Sequence, residues 1–73
     1  MFPYYRKLIG KDIYYKIVSD AEFHECTKIK GRLNIELVKA IQYPEKLRIQ
    51  DMIECHGEYY EKVDEKQYLS WAG

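Results

Sequence analysis

The chain has 73 residues, in which 12 Lys/Arg balance 12 Asp/Glu to a formal net charge of +0, and its pI is about 6.7. That length encloses one core, so residues 1–73 read as a single domain with little stability to spare as an isolated copy. Neutrality weighs against a strong electrostatic nucleic-acid binder, and no run approaches the roughly 20 apolar residues that span a membrane. Met1-Phe2-Pro3 does not read as a secretory leader, so Cys26 and Cys55 read as reduced thiols in a cytoplasm.

Residues 4–9 interleave aromatic, aliphatic and charged side chains, Gly10-Lys11-Asp12 carries turn chemistry, and a strand-like composition resumes over 13–18. Together these predict a hairpin. A Tyr-Tyr unit follows that occurs twice: Tyr14-Tyr15 leads to Ser19 with Glu22, and Tyr59-Tyr60 to Asp64 with Gln67. Each copy offers a capping oxygen three residues before a side chain able to reach back. Val18 with Phe23, and Val63 with Tyr68, add the spacing of a hydrophobic staple. The unit therefore predicts a short helix near 20–26 and another near 65–72. Between them, 27–30 reads as extended and Gly31 as a bend.

Over 33–55 the odd positions Leu33, Ile35, Leu37 and Ile41, then Leu47, Ile49, Ile53 and Cys55, alternate with mainly polar neighbours. Two strands turning at Tyr43-Pro44-Glu45 satisfy that alternation. A helical stripe through Leu33, Leu37, Ala40 and Ile41, with Pro44 opening a second helix, is the alternative. A strand over 58–63 and the terminal helix complete an α+β fold. It has about five mostly antiparallel strands in a curled or partly closed sheet, with two short helices covering one side or the ends.

No phosphate loop, nucleophile elbow or paired-carboxylate motif occurs, so neither an enzyme nor a cofactor is expected. His24, Cys26, Cys55 and His56 form a valid zinc set by type. Their spacing, H-x-C and adjacent C-H, is not that of a zinc knuckle, so no stoichiometric zinc is expected. Likewise, a Cys–His nucleophile needs a pocket that a chain of this size rarely closes.

Eight tyrosines, mostly in pairs, suit strands and interfaces alike, since neighbours on a strand point to opposite faces. Two functions remain. In the first, a small cytoplasmic interaction module, inhibitor or adaptor docks on a protein, or on its own copy as a homodimer, through a sheet edge; such a chain fits a phage or mobile element. In the second, less favoured, a nucleic-acid binder stacks bases on Tyr5 or Tyr14, with Arg6, Lys16, Lys28, Lys30 and Arg32 on phosphates. Those seven residues are the candidate partner-binding set.

Overall fold

The computed structural model describes residues 2–55 and 59–73. The chain runs β1 (Tyr4–Leu8), β2 (Ile13–Ser19), β3 (Glu22–Ile29), β4 (Arg32–Lys39), α1 (Tyr43–Glu54), β5 (Tyr60–Val63) and α2 (Glu65–Ala72). The fold is α+β. Its five strands pair antiparallel in the order β4-β3-β2-β1-β5, and the sheet stays open, with β4 and β5 as its edges.

The first two strands turn through Gly10, whose φ of 80° suits a residue without a Cβ, and the Lys11 amide donates to the Leu8 carbonyl at 3.1 Å. Strands β3 and β4 turn through Lys30 and Gly31. Their φ values of 52° and 79° match a two-residue turn that suits the sheet twist.

The helix expected near 20–26 is instead the tight turn and start of β3. Ser19 does use its hydroxyl locally, accepting the Ala21 amide at 3.1 Å, two residues on rather than three. Serine supports a turn and a helix cap by the same kind of bond, so the local signal did not separate the two outcomes. Pairing settled it, because β3 gains partners on both sides, β2 and β4, with a register shift between Ile17 and Ser19.

The hairpin expected over 33–55 is half correct: β4 is a strand, but the residues that were to form its return are α1. Glu45 accepts the Gln42 amide at 3.1 Å, Pro44 lies in the first turn, and Ile49 with Met52 are buried. Alternation over odd positions had left Met52 out. It is the residue that joins Ile49 in a helical stripe.

The helices cover opposite faces rather than one side. On the first face α1 packs Ile49, Met52 and Ile53 against Tyr15, Ile17 and Phe23, with Tyr4, Leu8 and Tyr60 around them. On the second, Tyr68 and Trp71 of α2 meet Tyr5, Cys26, Tyr14 and Val63. The second Tyr-Tyr unit forms as expected: Asp64 accepts the Gln67 amide at 2.7 Å while Gln67 accepts the Asp64 amide at 2.9 Å. The Trp71 indole then donates to Asp12 at 2.7 Å, tying the end of α2 to the β1–β2 turn.

Arg6 fastens the first face. It is only 6% exposed, and its guanidinium donates to the carbonyls of Met52, Ile53 and Tyr5, each at 2.8 Å. Met52 and Ile53 belong to the last turn of α1, where carbonyls lack helical partners and the helix dipole favours a cation. That turn has no basic residue of its own, so β1 supplies one. Replacing Arg6 by Met should strip those carbonyls of their guanidinium donors, leaving Met52 only the weak Cys55 thiol at 3.6 Å, and cost about 3 kcal/mol in urea unfolding. The exposed Lys46→Ala should stay within about 0.5 kcal/mol. Equal, small effects of the two substitutions would show that the Arg6 clamp does not matter to the fold.

Candidate functional site

The seven sequence candidates do not form one surface. Tyr5 and Arg6 are buried, and Tyr14 stacks on Trp71 with ring centroids 4.3 Å apart. Lys16 is half-buried on an interior strand. Only Lys28, Lys30 and Arg32 are exposed together, around the β3–β4 turn, where the Lys28 ammonium lies 5.2 Å from the Trp71 ring. The Tyr4–Tyr5 and Tyr14–Tyr15 pairs turn inward because both faces carry a helix, so neighbours pointing in opposite directions are both covered, whereas Tyr59 of the third pair is 66% exposed.

The two cysteines are also held apart. Cys26 lies under α2, whereas Cys55 ends α1 on the other face, with a left-handed φ of 56°. His56 lies outside the described residues, and among those described no group of three or more His, Cys, Asp or Glu could hold a metal. Cys26 is fully buried with its sulfur 3.3 Å from the Tyr68 hydroxyl. Burial raises the pKa of that thiol above its ordinary value, the opposite of what a nucleophilic cysteine requires.

The feature that the candidate list missed is the outer strand, β4. Its Leu33, Ile35 and Leu37 point to the α2 face yet remain 38%, 46% and 60% exposed. Opposite them Arg32, Asn34 and Glu36 face solvent, so the strand is open on both faces along nearly all of its eight residues. The cause is width. Five strands about 4.8 Å apart span about 19 Å, and a single helix about 10 Å across, packed over β5, β1, β2 and Cys26 of β3, stops short of β4. The alternation over 33–37 was visible in sequence; that the helix would fall short of it was not.

The two sheet edges contrast. Edge strand β5 has four residues and carries Glu61 and Lys62, the short, charged design that discourages pairing. Edge strand β4 has eight residues, no proline, and its one lysine at the end. Lys7 and Lys16 lie on the interior strands β1 and β2, so neither protects an edge.

The backbone of β4 follows from its turn. With Lys30-Gly31 as a two-residue turn, Ile29 and Arg32 form a hydrogen-bonded pair, as do Thr27–Asn34 and Glu25–Glu36 in alternation. The amides and carbonyls of Leu33, Ile35 and Leu37 therefore point outward along the free edge. A shallow depression lined by Ile29, Lys30, Arg32, Leu33 and Asn34 lies at the turn end of this edge.

The chain matches no protein-family model, no curated protein and no solved structure. Among the described residues no helix is long and apolar enough to cross a membrane.

The second face should respond to alkaline pH. Burial raises the pKa values of Cys26, Tyr68, Tyr5 and Tyr14 above their ordinary values of 9.0 for the thiol and 10.0 for the phenols. At alkaline pH the unfolded chain then binds fewer protons than the folded one, so stability present below about pH 9 declines as pH rises towards the raised folded values. Urea midpoints should be flat from about pH 7 to 8.5 and fall between about pH 9 and 11. A midpoint that holds or rises over that interval would contradict the packing of this cluster.

Proposed function

We propose that this chain is a small cytoplasmic interaction module without catalytic activity, and that it binds a protein through β4 by adding a strand to the sheet. One observation carries this: an eight-residue edge strand with an apolar stripe of Leu33, Ile35 and Leu37 in a sheet whose other edge is short and charged. Strand addition draws affinity from backbone bonds at the open edge and selectivity from alternate side chains. β4 offers both. An exposed apolar edge of this length is a liability unless it is used, because it templates pairing with any extended chain.

A cytoplasmic setting agrees with the thiols, which lie on opposite faces of the sheet and do not meet as a disulfide pair. A nucleic-acid function has less support, since the rings proposed for stacking are engaged by α2. A photo-crosslinking residue at Ile35 should capture protein in host cells, while the same residue at Leu69, exposed on α2, should not. Capture of nucleic acid alone at Ile35, or of protein equally from both positions, would overturn the proposal.

A further inference from the structure

We infer that the occupant of the β4 edge is a second copy of this chain, paired antiparallel about Ile35 so that two five-stranded sheets become one of ten strands. This rests on the docking role of β4 and names the partner for it. A two-fold axis perpendicular to the sheet keeps the α2 faces of both copies on one side, and residues directly opposite must then share a face. Only registers that pair odd with odd and even with even positions meet that condition.

Three such registers align most of the strand. Centring on Glu36 sets two carboxylates directly opposite each other, which is destabilising. Centring on Asn34 leaves Leu37 opposite Gly31 in the turn. The Ile35-centred register has neither defect. It sets Ile35 against Ile35 and each Leu33 against Leu37 of the second copy, three apolar cross-strand pairs on the part of the α2 face that the helix leaves uncovered. The outward amides and carbonyls of Leu33, Ile35 and Leu37 meet their counterparts in hydrogen-bonded pairs over the same length.

On the other face the same register places Asn34 opposite Glu36 of the second copy and Arg32 diagonal to it, within reach of an ion pair at each end. The charges of β4 are thus self-complementary only when the strand runs antiparallel to itself. The net charge of +0 adds no long-range repulsion. Seven paired residues form a small interface, so association belongs at the weak end of the range for specific dimers.

Light scattering on the full chain should give the 8.8 kDa mass when dilute and approach twice that value towards about 1 mM. Ile35→Lys sets two cations opposite each other and should weaken association about tenfold or more, with unchanged circular dichroism at a position already 46% exposed. Should that variant misfold, cysteine pairing decides instead. In a Cys55→Ser background oxidised by glutathione disulfide, Ile35→Cys should crosslink to itself, and Leu33→Cys should crosslink to Leu37→Cys. Hydrogen-bonded antiparallel pairs hold Cα atoms about 5.5 Å apart, within disulfide range.

Crosslinking of Leu33→Cys to Ile35→Cys in preference to Leu37→Cys would overturn the register. A monomer mass at every concentration, with no self-crosslinking of Ile35→Cys, would overturn the dimer. Photo-capture of a different protein from Ile35 would in that case leave the docking role of β4 standing, so the two failures are distinguishable.

Discussion

The fold turns on Arg6. A long side chain leaves the middle strand pairings of β1, passes into the core beneath α1 and ends on the last carbonyls of that helix. Burying a cation is costly unless its donors are used, and here three of them are bonded, with the Tyr4 ring 5.2 Å from the guanidinium. Because the bond partners are backbone atoms, the contact fixes where α1 stops. β5 pairs with β1 at the opposite edge of the sheet from β4. One side chain therefore ties the end of α1 to β1, the strand that β5 joins.

The two helices leave the sheet unequally covered. Twelve-residue α1, about 18 Å long, spans one face, while eight-residue α2 covers only part of the other. Tyrosine makes this economical for a short chain: Tyr5, Tyr15 and Tyr68 bury large ring surface while their hydroxyls reach Glu65, Arg48 and Cys26. Rings pack edge-on or tilted across both faces. The unequal cover is also what exposes β4, so the architecture and the proposed docking edge have one cause.

Much of this was legible in the residues and some was not, for physical reasons. Asp64 with Gln67 specified α2 because a reciprocal cap was followed by a stripe that had somewhere to pack. Ser19 with Glu22 carried the same cap spacing but became a turn, because tertiary pairing of β3 between two neighbours outweighs one local bond. Gln42 is not a usual cap residue, so the helix that Pro44 opens stood only as the alternative to a strand. The alternation of β4 was plain, yet alternation marks an apolar face without saying whether anything lies over it. Arg6 looked like a surface cation until the strand order placed it beneath a helix end.

If β4 is an edge awaiting a strand, its backbone should report the event directly. The Leu33, Ile35 and Leu37 amides point outward in the single chain, whereas those of Asn34 and Glu36 are bonded to β3. Residue-resolved amide exchange at rising protein concentration tests this most directly. The account predicts fast exchange at the three outward amides in dilute samples and growing protection as concentration increases, with Asn34 and Glu36 protected throughout. Outward amides that exchange equally fast at all concentrations would contradict pairing between copies, and outward amides already protected in dilute monomer would contradict the open edge itself.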